Sequence, residues 1–164
     1  MATLQASMIE YKNQLQNGNI VRAYRGLMAY MQDLRTHFAK TYPDYFVSGS
    51  LYTGFMDMTY FAVSPPALKQ RSLKAAIVFV HEAFRFEVWL SGANRQIQAE
   101  RWKVIKTSGW DTYSVVPVIT GSDAIVEHVL VAEPNFDDLP ALTDRIERGT
   151  LRFIHEVEAY LTSR

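Results

Sequence analysis

Two strand-like segments, 74–82 and 84–91, nearly touch in this sequence, with only Ala83 between them. A parallel pair of strands needs a crossover of a dozen or more residues, and there is no material for one here. The two runs therefore read as an antiparallel hairpin, although no Asn-Gly turn marks it. An isolated hairpin is not stable in water, so the rest of the chain must supply more strands and a helical cover for its apolar face.

The flanking segments supply both. Leu4, Met8, Tyr11 and Leu15 recur at helical spacing ahead of Asn17, Gly18 and Asn19, which read as a helix end and the next cap. A longer helix is expected over 20–41, with the stripe Ile20, Tyr24, Leu27, Met31, Leu34 and Phe38, and Pro43 opposes its continuation. From 51 to 63 the period changes to two, predicting a strand with Tyr52, Met56, Met58 and Tyr60 on one face and Thr53, Phe55, Asp57, Thr59 and Phe61 on the other. Ser64, Pro65 and Pro66 open a short helical turn that ends before Leu73.

Beyond the hairpin, a helix is expected over 93–107, burying Ile97, Ile105 and part of Trp102 and ending at Ser108 and Gly109. The stretch 110–122 is irregular and suited to covering a sheet edge. A strand over 124–132 and a final helix or helical pair from Asp138 complete the chain. The last segment carries the stripe Leu142, Ile146, Phe153, Val157 and Tyr160, with Gly149 as its weak point. The expected fold is one α+β domain over 1–164: a four-stranded, mixed or mostly antiparallel sheet with a central hairpin, packed by N-terminal and C-terminal helices. At 164 residues and 48% apolar composition, such a chain removes roughly 70% of its unfolded surface from water.

Charge and composition narrow the function classes. Seventeen basic residues balance seventeen acidic ones, so a polyanionic partner such as nucleic acid is not favoured. The balance is uneven along the chain: residues 1–110 carry thirteen basic and seven acidic side chains, and residues 111–164 carry four and ten. Cysteine is absent, which removes disulfides, thiol nucleophiles and thiolate metal sites. The opening Met-Ala-Thr-Leu-Gln has neither the basic segment nor the apolar run of a secretory signal, and no run is long enough to span a bilayer. A cytoplasmic location without membrane association is the resulting expectation.

The candidate site residues follow from the strand and helix periods. Arg85, Glu87 and Trp89 stand on one face of their strand, opposite Phe84, Phe86, Val88 and Leu90. Glu87 among bulky neighbours needs a hydrogen-bonding or ionic partner, and Asp57 between Met56 and Met58 poses the same question. Each reads as structural pairing, with Arg85 as an available partner, or as part of a functional pocket. His81 at a strand end has an imidazole that titrates near neutrality and suits acid–base work, but equally serves as a hydrogen-bonded neighbour. Asn94, Gln98 and Arg101 share a helix face, and Arg95 and Gln96 lie in that helix's first turn, where free amides can meet a carboxylate, phosphate or peptide. The histidines His37, His128 and His155 show no ligand spacing, and neither a metal nor a cofactor is called for.

Several strings carry a resemblance: the Met-Asp-Met-Thr-Tyr-Phe core within Tyr52 to Phe61, Ile77-Val78-Phe79, Phe86-Glu87-Val88-Trp89-Leu90, Asn94-Arg95-Gln96-Ile97-Gln98, and the Asn135-Phe136-Asp137 turn. Over almost the whole chain they resemble a conserved-domain family of small bacterial proteins of unknown function, which implies no activity. More remotely, the order helix, three strands, helix, strand is similar to the restriction-endonuclease-like nuclease core. That family implies an Asp on its second core strand and Glu-x-Lys on its third, holding a divalent metal. Here the third strand reads Glu87-Val88-Trp89, with tryptophan where the lysine should stand, and Asp57 lies one strand early.

Three readings of function follow. The leading one is a non-catalytic module that binds a small ligand or a protein through Arg85, Glu87, Asn94, Arg95 and Gln98. The second is a metal-dependent, nuclease-like phosphodiesterase or a degenerate relative, requiring Glu87 beside Asp57 or Glu82. The third is a small-molecule enzyme that uses His81 and Glu87 in one pocket. A homodimer through the outer helices or the 110–122 segment is compatible with each.

Overall fold

The computed structural model describes residues 1–163. Its elements run α1 (Leu4–Asn17), α2 (Asn19–Thr41), β1 (Phe46–Val47), β2 (Met58–Ser64), α3 (Pro66–Lys69), β3 (Leu73–Val80), β4 (Arg85–Gly92), α4 (Arg95–Ser108), β5 (Ser114–Val115), β6 (Val126–Val131) and α5 (Leu139–Thr162). The hairpin is β3–β4, paired without interruption from Leu73 opposite Gly92 to Val80 opposite Arg85. It sits in the middle of a sheet of order β1-β2-β3-β4-β6-β5, in which every neighbouring pair is antiparallel.

The expected four-stranded sheet thus has six strands, and none of its pairings is parallel. The two additional strands, β1 and β5, are two residues long and lie at opposite edges. A two-residue strand shows no alternation, so hydrophobic period cannot reveal it. The expected strand over 51–63 also differs. Only its second half is β2; Tyr52 pairs back onto Tyr60 through two backbone hydrogen bonds of 2.9 Å. Between them the chain reverses. Gly54 adopts φ +74°, and a Cβ there would lie 2.0 Å from the Met58 carbonyl oxygen, so glycine is required. The Asp57 carboxylate closes the turn by accepting from the Phe55 and Met58 amides.

Alternation along the strands sends Phe61, Val63, Ile77, Phe79, Phe86 and Val131 to one side of the sheet, where α2 supplies Leu27, Tyr30, Met31, Leu34 and Phe38. Toward the other end, Leu73, Ala75, Val88, Leu90 and Val126 meet Ile105 of α4 and Phe153, Ile154 and Val157 of α5. Burial of each large apolar side chain contributes about 1.5–3 kcal/mol. The phenylalanines add edge-to-face contacts, as between Phe79 and Phe86, whose centroids are 5.0 Å apart.

The final segment is one continuous helix. Asp138 caps it by accepting from the Ala141 amide, and Gly149 lies within the helix where a Cβ would come 2.7 Å from Leu130 Cδ2. The residue that weakens the helix is the one that lets it lie close to β6. A polar clamp joins the two long helices: Glu147 of α5 bonds His37 of α2, and the Tyr42 hydroxyl donates to its other oxygen at 2.7 Å. Two of the four basic residues beyond position 110 pair along α5, Arg148 with Asp144 and Arg152 with Glu156, so the acidic excess of that segment remains. Among the described residues, no helix is long and apolar enough to cross a membrane.

Phe38 is wholly buried between α2 and β2. Phe38→Ala is expected to lower unfolding free energy by about 3–5 kcal/mol, whereas Val104→Ala on the exposed side of α4 changes it by no more than about 0.5 kcal/mol. Urea denaturation followed by fluorescence and circular dichroism measures both.

Candidate functional site

The same alternation that builds the core leaves the opposite face of the sheet to Arg85, Glu87, Trp89 and Ser91 of β4. Register places Tyr60 and Val78 beside Glu87, Ala76 beside Trp89, and Lys74 beside Ser91. From the other side β6 sets Val129 opposite Glu87 and Glu127 opposite Trp89. None of the residues of the two core clusters just described belongs to this face.

Glu87 is 4% exposed, and its two oxygens are both satisfied within its own strand. Arg85 Nε donates to Oε2 at 2.7 Å and the Trp89 indole N–H donates to Oε1 at 2.9 Å. A buried carboxylate with an ionic and a neutral donor is stably held. The pairing also fixes the Trp89 ring, because i and i+2 side chains stand on one face of a strand. Glu127 is the next acid on this face. Burial pushes its carboxyl above the ordinary value, the Glu87 charge and more weakly Asp123 push the same way, and Arg85 partly opposes them.

Beyond Trp89 the face ends in a cavity of about 210 Å³ where β4 passes into α4. Trp89, Tyr60 and Ala76 line it from the sheet, Lys74 and Asp123 stand at its side, and Asn94, Arg95 and Gln98 line it from the helix start. The local sequence explains the shape. The Asn94 side-chain oxygen Oδ1 caps α4 by accepting from the Ile97 amide at 2.9 Å. Gln98, 6% exposed, accepts from the Gly92 amide at 3.1 Å and donates to the Ser122 carbonyl at 2.8 Å. Gly92 is obligatory, since a Cβ on it would lie 2.5 Å from the Gln98 backbone nitrogen. Arg95 donates to the Ser122 carbonyl at 3.1 Å and approaches Asp123 at 3.9 Å, but remains largely solvent-accessible.

The structure therefore brings Asn94, Arg95 and Gln98 to one cavity and places Arg85 and Glu87 on the adjoining face without lining it. Glu87 does not share a cavity with Asn94 and Gln98, because Trp89 and Ser91 come between them along β4. Asn94 and Gln98 spend their polar groups on the helix cap and on the 122 loop. The residues that sequence reasoning missed are Tyr60, Lys74, Asp123 and Glu127. Each lies on another segment: strand register sets Tyr60, Lys74 and Glu127 on the face of β4, and Asp123 comes from the loop ahead of β6, where its carbonyl accepts from the Ser91 hydroxyl.

His81 and Asp57 belong elsewhere. His81 follows β3 and lies with Phe79 on the helix side, its ring 5.1 Å from that of Phe79. The Thr59 hydroxyl donates to the Thr53 carbonyl and is 2.8 Å from His81 Nε2, so the imidazole donates to Thr59 through that nitrogen. Burial holds the His81 pKa below 6.5, against the pull of the Asp57 charge. The two amides that close its turn, Phe55 first, hold Asp57 below the usual carboxylate range. His81 and Glu87 thus lie on opposite sides of the sheet, and Asp57 is engaged in its own turn. Among the described residues, no group of three or more His, Asp or Glu side chains could hold a metal ion.

Sheet and site together define a one-sheet α+β protein with one face packed by the core helices and the other outside both core clusters, ending in a cavity at a helix start. Within that class, the chain belongs to the family described as Domain of unknown function (DUF7000), which matches residues 4–161. The resemblance to a family of unknown function therefore holds, whereas the nuclease resemblance finds no support. No curated protein and no solved structure matches the chain significantly.

Because the folded state holds the Glu127 proton more tightly than the unfolded chain does, ionisation of Glu127 opposes folding. Glu127→Gln is expected to be more stable than wild type at neutral pH. That advantage should shrink as pH falls through the raised pKa and vanish below the ordinary value of 4.5. Paired urea titrations of the two proteins across this range provide the check.

Proposed function

We propose that this protein is a non-catalytic binding module whose cavity at the β4–α4 junction takes a small ligand carrying a carboxylate. The observation that carries this reading is the convergence of two cations, Lys74 and Arg95, and two rings, Trp89 and Tyr60, on one concave space of about 210 Å³. The cations suit an anionic group through charge-assisted hydrogen bonds, and the rings suit a flat or apolar body behind it. Asp123 sits among them as a counter-charge, which favours a ligand with a donor as well as an acid. The volume limits the ligand to a few heavy atoms inside the cavity, with any remainder on the open sheet face.

Arg85 and Glu87 act here as positioning residues. Their pairing holds the Trp89 indole, and through it the floor of the cavity. The serine that lines the cavity, Ser91, donates its hydroxyl to the Asp123 backbone carbonyl rather than to a base, which supports binding over turnover.

Calorimetric titration and tryptophan fluorescence with a panel of aliphatic and aromatic carboxylates, amino acids and inorganic phosphate test the reading. A carboxylate is expected to bind saturably, and Lys74→Ala and Arg95→Ala are each expected to weaken it about tenfold or more, the scale of a lost charged hydrogen bond. Glu87→Gln should weaken binding less while altering the Trp89 emission. Saturable binding of phosphate alone would replace carboxylate by phosphate as the ligand class. The reading fails if no compound binds at millimolar concentration, or if both cation variants bind like wild type.

A further inference from the structure

The helix α1 has no buried residue along its 14 positions. Leu4, Met8, Tyr11 and Leu15, the stripe along one side, are between 43% and 79% exposed. Helices of this length are marginal in water and draw their stability from packing of an apolar face. The stripe has 4-3-4 spacing, the pattern of a helix that seats against another helix.

A receiving surface exists on the same chain, at the N-terminal half of α2. A cavity of about 740 Å³, which shares no lining residue with the one at the β4–α4 junction, runs along Ile20, Ala23, Gly26 and Leu27. The small Ala23 and Gly26 allow an incoming helix to approach closely, and a Cβ on Gly26 would meet nothing within 4 Å. Met56, Phe84 and Phe136 form the opposite wall. Met56 and Phe84 are each more than half exposed. Both adopt positive φ, +65° and +54°, a conformation that costs free energy in a non-glycine residue and that holds these side chains at the cavity rim.

We propose that α1 is an exchanged arm: the α1 helix of one copy lies in the α2 cavity of a second copy, and the reverse, forming a symmetric dimer. The dimensions agree, since α1 is about 21 Å long and the stretch of α2 from Asn19 to Tyr30 about 17 Å. The exposed apolar side chains of α1 and of the cavity rim carry on the order of 1,000 Å² per protomer, and an exchange that buries most of it reaches the roughly 800 Å² per partner of stable interfaces. The chain's own α1 is not the occupant, because Gly18 alone joins α1 to α2, whereas antiparallel helix hairpins use loops of about 2–5 residues. A lipid surface is disfavoured because Lys12 is the one basic residue of the helix, and helices that lie on membranes are rich in Lys and Arg. A C2 exchange of identical arms closes on itself and leaves no free site for further copies.

Sedimentation of the full chain over a wide concentration range tests the proposal. Wild type is expected to be a dimer at micromolar concentration, and Met8→Glu or Phe84→Glu should raise the dimer dissociation constant about tenfold or more, as loss of an interface anchor does. The absence of native cysteine permits a second measurement that does not depend on those variants. Tyr11→Cys and Leu139→Cys chains, mixed under mild oxidation, should form a disulfide-linked heterodimer, whereas neither should cross-link readily alone. A chain that stays monomeric at high micromolar concentration overturns the proposal. So does a monomer that instead binds neutral phosphatidylcholine vesicles, a dimer unaffected by both charge variants, or cross-linking of Tyr11→Cys only with itself. Since the β4–α4 cavity lies apart from this surface, carboxylate binding is expected to persist in Met8→Glu.

Discussion

Everything in this molecule follows from the strict alternation of β3 and β4. Eight consecutive register pairs hold these strands together without a bulge, so every side chain on them is committed to one face. Phe79, Phe86, Val88 and Leu90 commit one face to hydrocarbon, and α2, α4 and α5 cover it. The same commitment puts Arg85, Glu87 and Trp89 where no core helix lies. The open face is therefore a direct consequence of the core, and a one-residue slip would exchange the two.

A partly uncovered sheet face must manage its own polarity. Here that is achieved within a single strand, where Arg85 and Trp89 both donate to the carboxylate of Glu87. The arrangement buries an acid, keeps an arginine in place and orients an indole without help from another element. Glu127 on the neighbouring strand lies close enough for its ionisation to be opposed by the Glu87 charge. The electrostatic state of the face is thus coupled across β4 and β6, while the cavity beyond Trp89 has its own cations in Lys74 and Arg95.

Much of this order was legible in the chain. The hairpin, α2 and the α5 stripe rest on periodicity and the turn after Pro65 on its prolines; each forms, but the hairpin turns over residues 81–84 rather than at Ala83 alone, and Ile20 of the α2 stripe stays exposed. The segment 51–63 reads as one strand for a definite reason: a chain reversal through Gly54 and Met56 returns Tyr52 to pair with Tyr60, so the two-residue period runs on across the turn. The candidate site was legible in part. Asn94, Arg95 and Gln98 meet because they share one helix start, which is local information. Lys74 and Tyr60 join them through strand register, a property of pairs of segments that no single stretch encodes; Asp123 joins from the loop ahead of β6, and register sets Glu127 beside Trp89 outside the cavity. His81 and Glu87 looked compatible because both lie on the hairpin, yet the parity of positions 81 and 87 relative to Phe79 and Phe86 sends them to opposite sides.

The two shortest strands have an outcome of their own. An open sheet normally ends in rows of unpaired amides and carbonyls that invite another chain to add on, leading toward fibrous aggregates. Here both borders, β1 and β5, end after two residues, and Lys69 sits over the Phe46 ring at one of them. Each short strand covers only two residues of the longer strand beside it, Ser64 and Val63 of β2 and Glu127 and Val126 of β6, and so shortens the ladder left to an added strand.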